Sequence, residues 1–193
     1  MKIAVLGTGM VGNALRTKLV QIGNEVAMGS RNTNNEKAAQ WAKPLGARAR
    51  TAAFADASRF GEIVFNCTGG AHSMEALEMV GAEPLRGKIL IDVSNPLQVG
   101  EGGTMVLAFC NTDSLGERIQ RAFPETRVVK ALNTVNCEIM IAPSRVPGDH
   151  NLFICGNDAS AKKEVVDHLN SCSAGSRRTL LILATSPPRA EPK

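Results

Sequence analysis

Lys2-Ile3-Ala4-Val5-Leu6-Gly7-Thr8-Gly9-Met10-Val11-Gly12 is the stretch on which the reading of this chain turns. Ile3 through Leu6 form an unbroken apolar run, which predicts a strand buried on both faces of a parallel sheet. Gly7, Gly9 and Gly12 fill the pattern G-x-G-x-x-G, and Val11, Ala14, Leu15, Leu19 and Ile22 then recur at helical spacing. Glu25 to Gly29 reads as a second strand, which completes a strand-turn-helix-strand unit. In such a unit Gly7 permits the turn, Gly9 lets the backbone approach a pyrophosphate, and Gly12 lets the helix lie close on the strand. Phosphates sit at the helix N-terminus, where unpaired N–H groups and the helix dipole favour anions. The alternative is a glycine-rich turn with no ligand.

Working outward, 193 residues with 44% hydrophobic and 21% charged positions suit one globular domain with a sizeable core. No leader precedes the first strand, and the aliphatic run Leu180 to Ala184 is too short to span a bilayer, which places the protein in the cytoplasm, away from membranes. The formal charge is +4, but Arg177, Arg178, Arg189 and Lys193 against Glu191 put +3 of it after Cys172, leaving +1 for residues 1–171. That distribution excludes a basic nucleic-acid face. Cys67, Cys110, Cys137, Cys155 and Cys172 are odd in number and include no C-x-x-C pair, so they read as reduced thiols, mostly small core residues, with no metal site and no disulfide framework. His72 reads as a surface residue at a helix start, and His150 and His168 lack partners that suggest a metal or a triad.

Ser30-Arg31-Asn32 stands where many NAD-binding domains carry an acid for the ribose 2′-hydroxyl. The hydroxyl and guanidinium found here suit a 2′-phosphate, which favours NADP over NAD. The alternative makes Arg31, like Lys37, a solvated loop charge. Further along, the pattern predicts a surface helix over 36–45 carrying Trp41, a short helix over 51–60, a buried strand over 62–67, and a helix capped by Ser73. A strand over 88–93 follows, then a glycine-rich mobile loop over 98–104, a helix opened by the capping box Ser114/Glu117, a strand over 127–132, a strand over 151–155 and a helix over 159–169. This alternation implies an α/β doubly wound parallel sheet of the Rossmann type. Ligands bind such a sheet outside the carboxyl ends of its strands. Gly7 to Val11, Asn66 to Gly70 (with Cys67, Thr68 and Gly69), Ser94 to Pro96 (with Asn95), and Asn133-Thr134 therefore line one crevice.

Lys2 to Gly12, Met28 to Arg31, Phe65-Asn66 with Thr68, Asp92 to Leu97, Val129 to Thr134 and Cys155 to Asp158 together resemble the NADPH-dependent F420 reductase family over about residues 1–171. The resemblance implies a domain that binds NADP(H) with its nicotinamide against the deazaflavin ring of coenzyme F420, or a flavin-like acceptor, and passes a hydride between them. It implies that Thr8 and the glycine turn hold pyrophosphate, that Ser30 and Arg31 hold the 2′-phosphate, and that the later strand ends flank the two rings. Related domains oxidise NADPH in membrane ferric reductases.

Hydride transfer between two cofactors asks the protein to stack rings and exclude water, so no general acid or base is assigned. Lys130 either stabilises negative charge on a reduced ring or reaches its own helix or solvent. The rival outside catalysis is an NADP-binding redox sensor. A second rival, imine or carbonyl reduction, requires a substrate domain for which this chain has no room. The residues from Cys172 onward are Ser-, Arg- and Pro-rich where a buried strand is expected. Joining the third base of each codon to the first two of the next rereads Cys172 to Gly175 as Phe-Gly-Trp and Leu180 to Lys193 as Leu-Asp-Leu-Gly-Asp-Ile-Thr-Ala-Ala-Arg-Gly-Thr-Glu. Both strings resemble the family's own sequence. The expectation is thus an NADP-binding domain over 1–171 and a frameshifted tail over 172–193. In the family the intact C-terminus helps build the acceptor pocket and a homodimer contact, so the tail predicts both are weakened.

Overall fold

The central strand β1 (Lys2–Leu6) is hydrogen-bonded on both sides, which is why its apolar run is continuous. In this computed structural model residues 1–32, 35–148 and 151–172 are described. His150, the side chain of Lys37 and the tail beyond Cys172 lie outside them. The chain continues through α1 (Met10–Gln21), β2 (Glu25–Ser30), α2 (Glu36–Ala42), β3 (Ala49–Ala53), α3 (Phe54–Phe60), β4 (Ile63–Asn66) and α4 (Ser73–Val80). The second half comprises β5 (Ile89–Asp92), β6 (Leu97–Val99), β7 (Met105–Leu107), α5 (Leu115–Ala122), β8 (Arg127–Ala131), α6 (Cys137–Ile141), β9 (Ile154–Cys155) and α7 (Ala159–Cys172). The main sheet runs β3-β2-β1-β4-β5-β8-β9. All its pairings are parallel except β8 with β9, so the expected doubly wound sheet is present with one antiparallel edge.

Strand side chains alternate between faces, and the core divides accordingly. Ile3 and Val5 pack with Leu15 and Leu19 of α1, Trp41 of α2, and Val165 and Leu169 of α7. Ala4 and Leu6 pack on the other face with Phe54 of α3, Leu77 of α4 and Ile119 of α5. The helices thus cover both faces, and the carboxyl ends of the six parallel strands open toward one rim.

The structure corrects several expectations. The helix over 51–60 starts only at Phe54; Ala49 to Ala53 form β3, an edge strand zipped to β2 by backbone pairing that alanine-rich composition does not advertise. The segment over 98–104 is the end of β6 and the turn that joins it to β7 in an antiparallel hairpin, with Leu97, Val99, Met105 and Leu107 exposed. Ile22 is the exposed C-cap of α1 and takes no part in its apolar face. Trp41 is buried, with its indole N–H donating to Thr17 Oγ1 at 3.1 Å. The last edge strand covers only Ile154–Cys155.

Candidate functional site

The glycine turn is shaped by contacts that no side chain tolerates. Gly7 has φ +109°, and a Cβ there would stand 2.6 Å from the Cys67 carbonyl oxygen. A Cβ on Gly12 would stand 2.7 Å from the Gly7 carbonyl oxygen, so the first turn of α1 rests directly on the loop. Around Gly9 there is open space. Helix α1 begins there with no side-chain cap and no acidic residue in its first turn, leaving its orphan N–H groups and its positive dipole end unopposed.

Behind the loop sits a residue that sequence reasoning missed. Arg16 is 2% exposed, donates to the Gly7 carbonyl at 3.3 Å and to Asn13 Oδ1 at 2.8 Å, and stacks on the Trp41 ring at 4.9 Å. Burial lowers its pKa to about 10, opposed by the influence of Cys67, so it stays charged at neutral pH and clamps the loop from inside. A cation between Leu15 and Leu19 on the inward side of α1 was the available signal. Burial, reinforced by Asp92, pushes the Cys67 thiol up, so it is a neutral wall residue with no thiolate character.

Two cavities lie along the carboxyl rim. The first, of about 290 Å³, gathers Gly7, Thr8, Gly9, Ser30, Arg31, Asn32, Cys67, Thr68 and Gly69. It also includes His72, which is an exposed helix-start residue as expected, and Asn35, Phe54 and Glu75, which sequence reasoning did not single out. Ser30 is buried and its hydroxyl donates to the Asn32 carbonyl at 2.6 Å, fixing the bend that carries Arg31. Arg31 is exposed at the rim. Met10, Val11 and Gly12 form the first turn of α1 outside this wall; Met10 is exposed and Gly12 is buried beneath the loop.

The second cavity, of about 430 Å³, gathers Asn95, Pro96 and Asn133 with Leu107, Phe109 and Lys130. Asn95 and Asn133 clasp each other: Asn95 Nδ2 donates to the Asn133 carbonyl at 2.8 Å, and Asn133 Nδ2 to Asn95 Oδ1 at 3.2 Å. Leu132, immediately before Asn133, adopts φ +67°, an uncommon conformation for a residue with a side chain. The expected single crevice is therefore two neighbouring cavities: Gly69 lines the first, and the next residue, Gly70, packs against the Asn95 carbonyl and Pro96 of the second. Cys110 and Cys155 are exposed and line the second cavity, unlike the buried Cys67 and Cys137, so the expectation of mostly core thiols holds for only half of those described.

A buried polar network joins the cavities. Asp92 is fully buried and accepts from Lys130 Nζ at 2.7 Å, Asn66 Nδ2 at 2.9 Å and the Ser94 N–H at 3.2 Å. Asn66 also donates to Ser73 Oγ at 3.1 Å, and its Oδ1 accepts from Thr68 Oγ1 at 2.7 Å. A hydroxyl has one proton, so Ser73 donates to Thr68 Oγ1 at 2.7 Å to close the ring. Ser73 was expected to cap α4. It is instead the first residue of that helix with its hydroxyl spent in this ring, and α4 has no side-chain cap. Lys130 reaches the carboxylate of the neighbouring strand and stays partly exposed at the second cavity.

Parallel strands, a clamped glycine turn and a rim cavity define a Rossmann-type α/β domain. The profile of the "NADP oxidoreductase coenzyme F420-dependent" family matches residues 2–96. The F420-dependent NADP reductase of Methanocaldococcus jannaschii is 32% identical over 180 residues, 88% of this chain and 79% of that protein. A crystal structure of a candidate F420-dependent NADP reductase from Arthrobacter sp. FB24 superposes with a TM-score of 0.88 at 46% identity, covering 96% of this chain and 85% of that one. The metalloreductase STEAP3 of Rattus norvegicus is 30% identical over 164 residues, which is 85% of this chain and 30% of that protein. The chain belongs to the coenzyme F420-dependent NADP oxidoreductase family. No helix among the described residues is long and apolar enough to cross a membrane.

Proposed function

We propose that this enzyme binds NADPH along the glycine turn and passes a hydride between it and a small planar acceptor, coenzyme F420 or a flavin, in the second cavity. The observation that carries the reading is the pair of neighbouring cavities on one rim, the first lined by Gly69 and the second by Asn95 and Pro96, against which the next residue, Gly70, packs. The residues of the first cavity fit the nucleotide: the space at Gly9 and the uncapped N-terminus of α1 suit a pyrophosphate, and Arg31 at the rim suits a 2′-phosphate. Thr8 and the N–H groups of Met10, Val11 and Gly12 hold the pyrophosphate, while Ser30, bonded to Asn32, holds the bend that presents Arg31. Cys67, Thr68 and Gly69 flank the nucleotide, and Asn95, Pro96 and Asn133 form the platform between the rings. NADPH, when bound, supplies the hydride. The protein orients both partners and excludes water, which needs no general acid or base among these residues.

Mixing the enzyme with NADPH and either F420 or FMN, and following the absorbance of each, tests the proposal. Turnover with at least one acceptor is expected. Saturable NADPH binding with no oxidation by either acceptor would overturn it in favour of the sensor. We read the protein as a homodimer where its C-terminus is intact, with residues 1–171 as the nucleotide-binding domain; the exposed apolar residues of the β6-β7 hairpin suit association between copies of the chain. No part of the described surface is assigned to nucleic acid or membrane.

A further inference from the structure

Resting on that reading, we propose that Lys130 contacts the acceptor directly, donating a hydrogen bond to the ring oxygen or nitrogen that becomes negative when the hydride arrives. Of the charged residues lining the second cavity, Asp113 and Glu117 are acidic and Lys130 is the one cation among the described residues. Its ammonium carries three N–H groups. One donates to Asp92 Oδ2 and another to the Ser94 carbonyl, which leaves the third with no acceptor among the described residues. The pair is also placed unequally: Asp92 is fully buried, whereas Lys130 lines the cavity with its side chain 20% exposed. Asp92 is pinned in turn by Asn66 and the Ser94 N–H, so the ammonium is held before any ligand arrives. A fixed donor aimed at developing charge needs little reorganisation during reaction, the condition under which such donors accelerate chemistry most.

This narrows the class of acceptor. Hydride transfer breaks one C–H bond at the reduced nicotinamide, forms one at the acceptor, and oxidises NADPH to NADP⁺. The acceptor gains two electrons and one hydrogen nucleus, and hence one negative charge, until water protonates it. Lys130 stabilises that charge only where it is conjugated onto an oxygen or nitrogen at the ring edge, as in deazaflavin-, flavin- or quinone-type rings.

The test compares dissociation constants of oxidised and reduced F420, measured by fluorescence and by competition, in the full-length chain with NADP⁺ present. Lys130→Met alone strands a buried carboxylate, so the decisive variant is Lys130→Met with Asp92→Asn, which removes both charges. The unmutated protein is expected to bind the reduced form more tightly. The double variant should lose about tenfold of that preference, with kcat falling in parallel and the KM for NADPH unchanged, and Lys130→Arg should retain most of it. A purely structural strut would weaken both forms equally, and an unchanged ratio in the double variant would overturn the proposal. Failure of the unmutated protein to bind either form would instead remove the acceptor reading on which it rests, and the proposal with it.

Discussion

Replacing Arg31 by Ala isolates the basis of nucleotide choice, because Arg31 is exposed at the rim of the first cavity and no hydrogen bond or ion pair to another described residue holds it. A surface change of that kind alters stability by no more than about 0.5 kcal/mol, so the thermal midpoint should stay where it is. A hydrogen bond to a charged group contributes about 1.5–3 kcal/mol, and exposure with salt screening moves a rim contact toward the lower end. Since about 1.4 kcal/mol is one decade, Arg31→Ala should weaken NADPH binding about tenfold, and by as much as a hundredfold in dilute buffer. NADH lacks the 2′-phosphate and should hardly respond. The assay is a calorimetric titration of both nucleotides at low and high salt, with the NADPH penalty shrinking as salt rises. Equal affinity of the unmutated protein for both nucleotides, or an equal loss for both in Arg31→Ala, would refute the reasoning. Arg16→Ala is the contrast: it frees the Gly7 carbonyl from inside and should weaken both nucleotides together while lowering the melting temperature.

Gly12→Ala gains about 0.5–1 kcal/mol of helix preference but forces overpacking worth about 1–3 kcal/mol, because its Cβ meets the Gly7 carbonyl at 2.7 Å; the protein should fold with a lower midpoint and bind neither nucleotide well, and near-normal binding would show that the loop has room the structure denies. Acid should loosen α5 through Asp113: burial raises its pKa, but hydrogen bonds from Arg121 and Arg118 outweigh that and bring it to about 2. A depressed pKa stabilises the fold fully above the ordinary carboxylate value near 4, and the contribution is lost as pH falls from about 4 through about 2, so Asp113→Asn should flatten the melting-temperature profile in that window. Asp158, pulled down chiefly by Arg127, acts with the same sign at the start of α7. For the tail we propose the frameshift, and sequencing the gene decides it: a single-base shift near codon 172 should open a frame containing Phe-Gly-Trp, and the idea is finished if none does.

The nucleotide half of the rim is legible in the sequence because its parts are local. Gly7, Gly9 and Gly12 lie within one turn and its helix, Arg31 directly follows the next strand, and each carries a signature that survives in isolation. The acceptor half is not local. Asn66, Ser73, Asp92 and Lys130 belong to three strands and a helix start, and nothing in their separate surroundings says that they form one network; only the strand order β4-β5-β8 brings them side by side. Lys130 accordingly reads from sequence as a choice between a ring and its own helix or solvent, and its partner in the structure is a carboxylate 38 residues away. The hairpin is a different kind of miss, since Leu97 to Val99 and Met105 to Leu107 around a glycine-rich turn are a recognisable hairpin signal, hidden by the habit of reading glycines as loop. β3 is different again: its alanines favour helix, and an edge strand paired through its backbone overrides them. The residues proposed to choose the nucleotide are thus declared by spacing, whereas those proposed to face the acceptor are declared only by topology. Changes in acceptor preference should therefore follow substitutions along β5, β8 and the β6-β7 hairpin, while the glycine turn leaves that choice untouched.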